Sequence, residues 1–488
     1  MKKKWIIIRL EITTREFQSK SLLAYKLAMK GYGVIVKHDI ADDVKIFPKG
    51  LYFINSIYQN SHRQIKKIYD HGNKIFCLDE EGLVIRSADE YVRRLPDSNL
   101  ELLTKFFCTG DNQYELLRKG TSIDKNKLVI SGNPRINMLD KGFNIIEEKK
   151  VSQIKKKYGD FVLIVSNFGT VNITDSDISK ESRYRVKYDI FLNQGLLPDE
   201  HSKKDFDKRF EHYEYIFQSF LNFAIEVGKN HKDINIVVRP HPAEDQKIWR
   251  NLADKYNNIN VVYEGNLTEW IKASSLVIQN GCTSAMESLI LQKSCISYRP
   301  KVDEKYDQLL PSKLSVNVFE KNILIEKIKF VLNGGNLITK EENKSFYRVF
   351  NENISYYQSD ESIQKIIEEI EKVDIKPMKF TIIRKFLIRL LKVRRKVTLN
   401  MKLLFASNIL KIFNFIGHRS LYVEKTQERV KKYNRARPTK NPKTANLTED
   451  DFVEIFKSYD SIYNARENVK IASLRDGCFI IERIKGVK

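Results

Sequence analysis

The apolar positions of this chain come in short, β-branched runs, separated by longer stretches in which apolar residues recur with helical spacing. Short apolar runs bounded by turn signals read as buried strands, and the stretches between them as covering helices. In the first half the pattern predicts strands over 5–12, 34–37, 51–55, 74–78, 106–109 and 127–131. Helices are predicted over 17–30, 62–71, 113–119 and 147–158. A second series opens at Phe161-Val162-Leu163-Ile164-Val165 and continues with strands around 236–238, 260–263, 276–279 and 295–298. Its helices are expected over 213–230, 246–256 and 284–291, and a polar insertion at 174–208 reads as a mobile loop or a small helical excursion. Strands spaced by helices of this length imply βαβ units and parallel sheets. The chain is therefore expected to be α/β, with domains at 1–155 and 156–375, a basic helical segment at 376–440 and a small α/β segment at 441–488.

Composition narrows the class. With 488 residues, 42% hydrophobic and 11% aromatic, the chain can bury several cores. The formal net charge is +23, and residues 376–440 hold nineteen Lys or Arg against Glu424 and Glu428, so +17 of it lies there. A nucleic-acid surface would spread basic residues and stacking aromatics over a folded face, so no nucleic-acid partner is expected. Within 379–415 apolar faces (Ile383, Phe386, Leu387, Leu390) alternate with basic ones, the pattern of helices lying on an anionic membrane surface. Packing of the same helices on the folded body is the other reading. Cys77, Cys108, Cys282, Cys295 and Cys478 form no C-x-x-C pair, which argues against a zinc site or a disulfide framework and favours a reducing compartment. Arg9 and Glu11 break the N-terminal apolar run, so it is not read as a signal peptide, and no uncharged run is long enough to span a bilayer.

Candidate chemistry gathers at the carboxyl ends of predicted strands, where open α/β sheets bind ligands. Arg239-Pro240-His241-Pro242 ends a β-branched run, and its prolines hold the basic residue and the histidine in a stiff extended turn suited to a phosphate. Asp79-Glu80-Glu81-Gly82 places three carboxylates at another strand end, where crowding raises pKa values. Such a group reads equally as a base or nucleophile and as a solvated acidic turn. Thr283 and Ser284 stand where a helix begins, offering an anion site, although Ser284-x-x-Glu287 is also a capping box. Asn167 and Gly169 follow the first strand of the second series; Asn133 and Arg135 follow the last strand of the first; Arg15 and Glu16 follow the very first. Asp175-Ser176-Asp177 matches a D-x-D metal motif but has no evident further ligand, so no metal is expected. A Walker loop is missing, and Gly31-Tyr32-Gly33 lacks the third glycine of a dinucleotide fingerprint.

In this order the motifs resemble the bacterial surface carbohydrate biosynthesis protein family. The matching pieces are 11–16, Ser21-Leu22-Leu23-Ala24, Asp79 to Leu83, Tyr91-Val92-Arg93-Arg94, Gly132 to Arg135, Asn167-Phe168-Gly169 with Asn172, Arg239 to Pro242, and Thr283-Ser284, spanning about residues 5–372. The D-E-E-G and His-Pro pair is also similar to motifs of bacterial sialyltransferases and Kdo transferases. The resemblance implies a GT-B-like fold, two Rossmann-type domains facing a cleft, and a metal-independent glycosyltransferase without a resident cofactor. It would extend a surface polysaccharide such as capsule or lipopolysaccharide from a nucleotide-activated sugar, an acidic sugar on cytidine monophosphate, onto a glycan acceptor that is lipid-linked in one version. Carried over, Asp79, Glu80 or Glu81 becomes base or nucleophile. Arg239, His241, Thr283, Ser284, Asn167 and Gly169 hold the donor, and Arg15, Glu16, Asn133 and Arg135 line the cleft. The location implied is the inner face of the cytoplasmic membrane. The alternatives are a teichoic-acid-type CDP-polyol phosphotransferase and a non-catalytic scaffold of a polysaccharide assembly complex.

Overall fold

The computed structural model describes every residue except 1, 39, 42, 86, 174–178, 194–196, 198, 382–446, 466–468, 476 and 485–488. Six strands form first: β1 (Trp5–Arg9), β2 (Gly33–Lys37), β3 (Leu51–Ile54), β4 (Lys74–Leu78), β5 (Lys105–Cys108) and β6 (Leu128–Ile130). The second series is β7 (Val162–Val165), β8 (Ile236–Arg239), β9 (Ile259–Val261), β10 (Leu276–Gln279), β11 (Cys295–Tyr298) and β12 (Val316–Val318). Near the C-terminus follow β13 (Val469–Arg475) and β14 (Cys478–Arg483). One sheet runs β13-β14-β2-β1-β3-β4-β5-β6 and the other β12-β11-β10-β7-β8-β9. This is the expected α/β class, GT-B-like in its two consecutive Rossmann-type sheets. The contacts group the chain into two compact units: Met1–Phe53 with Arg63–Ile75 and Asp374–Lys488, and Ile54–His62 with Phe76–Val373.

In the first unit, the indole N–H of Trp5 donates to the Met378 carbonyl at 2.8 Å, and its ring meets Phe380 edge-on at 5.2 Å. A Cβ on Gly33 would stand 2.6 Å from the Trp5 ring, so the neighbouring strand needs glycine there. The C-terminal residues add a helix, Glu449–Ile462, and the β13–β14 hairpin, whose β14 pairs antiparallel with β2. Phe452 packs edge-on against Phe17 at 4.9 Å, Phe456 against Tyr25 at 5.3 Å, and the Tyr459 hydroxyl donates to the Gln18 carbonyl at 2.7 Å. The small α/β segment expected at 441–488 thus supplies a helix and a hairpin, and the hairpin extends the first sheet through β14.

In the second unit, every pair of neighbouring strands in the second sheet is parallel. Its central strand β7 is buried throughout: Val162 and Ile164 join Phe217, Phe220 and Trp249, while Leu163 and Val165 join Trp270 and Met286. Alternate residues face opposite layers and both layers are helical, which is why the strand is apolar without interruption. The insertion at 174–208 is largely helical where described, as Lys180–Asn193 and the start of Glu200–Asn230. The latter begins at Glu200, not 213, because Asp199 and Ser202 close a capping box and Phe206 and Phe210 reach the core between charged neighbours. Between residues 299 and 375, where no element is predicted, lie β12 and the helices Lys321–Leu332, Lys340–Asn353 and Glu361–Glu371.

Most of the basic segment at 376–440, and with it the amphipathic pattern at 379–415, lies outside the described residues, as does Asp175-Ser176-Asp177. Among the described residues no helix is long and apolar enough to cross a membrane. Nor, among them, do three or more His, Cys, Asp or Glu converge as a metal site would require.

Candidate functional site

The turn after β8 is built around His241. Its Nδ1 accepts the Ala243 backbone N–H at 3.1 Å, so in the neutral ring the proton sits on Nε2. The side chain is exposed. The His241 backbone N–H donates to Glu244 Oε1 at 3.2 Å. Glu244, absent from the sequence-based candidates, organises the surroundings. Oε1 also accepts the Ser166 hydroxyl at 2.8 Å and the Phe168 N–H at 2.9 Å, while Oε2 accepts Asn172 Nδ2 at 3.2 Å and the Trp249 indole at 3.3 Å. Burial pushes its carboxyl above the usual range, against the pull of those donors. One side chain therefore fastens the loop after β7 to the His241 turn. The sequence signal was an acid three residues beyond the histidine. Arg239 is half-buried, and its guanidinium donates to the Glu264 and Gly265 carbonyls at 2.6 and 2.7 Å, bracing the loop after β9 while keeping a positive charge at the strand end.

The loops after β7 and β10, neighbours in the sheet, are interlocked. The Asn167 N–H donates to Asn280 Oδ1 at 2.8 Å, and Asn167 Nδ2 to the Gly281 carbonyl at 2.9 Å. At Gly169 a Cβ would come 3.3 Å from that of Ala243, so this loop lies directly against the histidine turn. The expected capping box at Ser284-x-x-Glu287 does not form. Thr283 takes the N-cap position without a side-chain bond, Ser284 is buried with its hydroxyl 2.6 Å from Cys282 Sγ, and Glu287 faces elsewhere. The sharp turn at Gly281, with φ of +87°, lets Cys282 take the place of the cap.

Glu287 meets Arg135 instead. Arg135 Nη2 lies 3.6 Å from Glu287 Oε1 and Nη1 lies 3.6 Å from Glu80 Oε2, so residues after β4, β6 and β10 share one buried ion cluster. Burial raises the Glu287 carboxyl, opposed by Arg135. Asn133 caps the short helix Pro134–Asn137 by accepting the Arg135 N–H at 2.9 Å, and its buried Nδ2 has no hydrogen-bond partner among the described residues. The three carboxylates of the acidic motif thus separate in role: Glu80 is buried beside Arg135, Glu81 is exposed, and Asp79 has no exposure at all. Burial holds the Asp79 carboxyl up at about 6; hydrogen bonds from Tyr91 and the Glu81 N–H pull it down, the Glu81 charge raises it and Arg94 lowers it.

Arg15 and Glu16 belong to the first unit, where Glu16 is fully buried. It accepts Arg15 Nη2 at 3.0 Å, Lys20 Nζ at 3.1 Å and the Glu11 N–H at 3.0 Å, an arrangement that secures the turn after β1.

No protein-family model matches the sequence, and no curated protein does. Among solved structures the chain is similar to the UDP-GlcNAc 2-epimerase of Methanocaldococcus jannaschii, at 14% identity over 76% of this chain and 100% of that one, with a TM-score of 0.44. It is similar also to the Neisseria meningitidis UDP-GlcNAc 2-epimerase (12% identity, 76% and 100% covered, TM-score 0.44). A third likeness is to the wall teichoic acid polymerase TagF (11% identity, 76% and 88% covered, TM-score 0.44). Likenesses of this degree assign neither chemistry nor site residues to the chain.

Proposed function

We propose that this chain is a glycosyltransferase of bacterial surface polysaccharide synthesis, transferring an acidic sugar from a cytidine-monophosphate donor to a glycan acceptor. The observation that carries the reading is the His241 turn: an exposed histidine at the carboxyl end of a parallel strand, whose Nδ1 accepts the Ala243 N–H so that the neutral ring carries its proton on Nε2. In the proposal Nε2–H meets the donor phosphate, with the Arg239 charge and Thr283 beside it, so that charge developing on the departing phosphate is met by fixed donors and no metal is called for. The acidic motif supplies the base for the acceptor hydroxyl. Residues 379–415 bring the enzyme to an anionic membrane surface, on the cytoplasmic side, where a lipid-linked acceptor would lie.

Binding measurements with CMP, CDP, UDP and GDP test the donor, and CMP is expected to bind tightest. His241→Ala should lose a charge-assisted hydrogen bond of about 1.5–3 kcal/mol, one to two decades in CMP affinity, without unfolding. Unchanged CMP affinity in a folded variant refutes the phosphate role. For the membrane part, the full chain should sediment with anionic but not neutral vesicles, and a full-length variant with Arg384, Lys385, Arg389 and Lys392 changed to Gln should sediment less with the anionic ones.

A further inference from the structure

A base must touch the hydroxyl it activates, yet Asp79 is shut off from solvent. Two side-chain hydroxyls reach it. Tyr91 donates to Oδ2 at 2.7 Å and Tyr58 to Oδ1 at 3.3 Å, where the Glu81 N–H also donates at 3.2 Å. Tyr91 is buried and committed on both sides. Its oxygen accepts Gln113 Nε2 at 2.7 Å, and Gln113 Oε1 is in turn held by the Thr109 N–H at 2.7 Å and hydroxyl at 3.1 Å. Tyr58 differs. It follows β3, is only half-buried, and carries the Arg94 guanidinium 4.2 Å over its ring. Of the two hydroxyls on Asp79, only that of Tyr58 belongs to a residue that reaches the surface.

We propose that Tyr58 is a catalytic residue that links the acceptor to Asp79. The acceptor O–H proton passes to the Tyr58 oxygen as the tyrosine's own proton passes to Asp79 Oδ1. The acceptor oxygen uses its lone pair to bond the anomeric carbon, and the bond from that carbon to the donor phosphate breaks, its electron pair leaving on the phosphate. Tyrosine begins and ends neutral, and Asp79 ends protonated. The Arg94 cation over the ring favours the partial phenolate that arises between the two transfers, and a carboxyl raised by burial is a stronger proton acceptor than an ordinary aspartate. This inference rests on the glycosyltransferase reading.

The test uses Tyr58→Phe in the full chain, which keeps the ring beneath Arg94 and removes only the hydroxyl. In a strain lacking the native protein, the variant should restore less than a hundredth of the surface polysaccharide that wild type restores, at equal protein level and equal CMP affinity. Asp79→Asn should fail to the same degree, and the double variant should be no worse than either, because both break one relay. Independently of turnover, the carboxyl of Asp79 followed by NMR should titrate at higher pH in Tyr58→Phe. The other groups facing it, Tyr91, Glu81 and Arg94, are unchanged. An unshifted Asp79 titration, or restoration by Tyr58→Phe above a third of wild type, overturns the inference and leaves the function standing. A deletion strain that makes its full polysaccharide overturns the function and the relay together.

Discussion

Glu16, in the first turn of the helix that follows β1, and Glu244, in the turn after β8, are both buried carboxylates that gather the backbone of a strand-end loop, but their partners differ in kind. Glu16 is held by two cations, Arg15 and Lys20, together with the N–H groups of Glu11 and Ile12. Burial alone would raise its carboxyl; Lys20, Arg15 and the Glu11 N–H outweigh burial and bring it to about 2. Glu244 receives its hydrogen bonds from neutral donors, Ser166, Phe168, Asn172, His241 and Trp249, and burial prevails, so its carboxyl rises. Hydrogen bonds pull both carboxyls down against the cost of desolvation, but only at Glu16 is counter-charge added to them, and only there is that cost exceeded. The first turn is accordingly an ion cluster locked into scaffold. The second keeps a costly carboxylate beside the one exposed histidine turn for which a ligand is proposed.

The largest effect is expected where counter-charge is involved. Glu16→Gln leaves Lys20, almost fully buried, facing a neutral amide, and should cost about 3–5 kcal/mol in chemical denaturation. A loss below about 1 kcal/mol would erase the distinction between the two turns. Glu244→Gln retains one acceptor but turns an NH₂ toward other donors. It should cost about 1–3 kcal/mol, speed amide exchange at Phe168 and His241, and weaken CMP binding. Full stability with unchanged exchange would show that Glu244 does not hold the turn.

Acid sharpens the contrast because the two groups have opposite signs. The folded Glu16 carboxyl lies below its unfolded value of 4.5, so its contribution is complete above pH 4.5 and is lost as pH falls toward about 2. Glu244 lies above 4.5 when folded, so its ionisation costs stability: that side of the balance is most favourable below pH 4.5 and worsens as pH rises through the folded value. In denaturation midpoints taken from pH 2 to 7, the gap between wild type and Glu16→Gln should shrink on acidification while the gap to Glu244→Gln widens. Parallel curves would contradict the assignment. The smallest effect concerns the reach of the scaffold: Tyr459→Phe, which removes the hydrogen bond to the Gln18 carbonyl on the helix that carries Glu16, should cost about 0.5–1.5 kcal/mol. No loss would mean that the C-terminal helix holds by its ring contacts alone.

Much of the framework was legible because its signals are local. Uninterrupted apolar runs such as 161–165 mark strands covered on both faces, and the prolines about His241 mark a rigid turn whatever lies around it. Where the structure departs from the pattern, side-chain partners that spacing does not specify decided the outcome. Ser284-x-x-Glu287 has capping-box spacing, but the nearby Arg135 takes Glu287 and Cys282 takes Ser284. The helix Glu200–Asn230 is longer than its pattern predicts because interspersed charges hide the apolar face that Phe206 and Phe210 present to the core.

Sequence by itself determined the α/β class, the two series of strands and the strand-end positions of Asp79, Arg135, Asn167 and His241, since periodicity, β-branching and proline act through neighbours on the same segment. Only the tertiary structure decided which of three adjacent carboxylates is buried under two tyrosines, which joins an arginine and which meets solvent. It alone decided, too, that β14 closes on β2 from the far end of the chain. Burial, counter-charge and hydrogen-bond partners depend on what the fold brings alongside a residue, and they set the protonation of Glu16, Asp79 and Glu244.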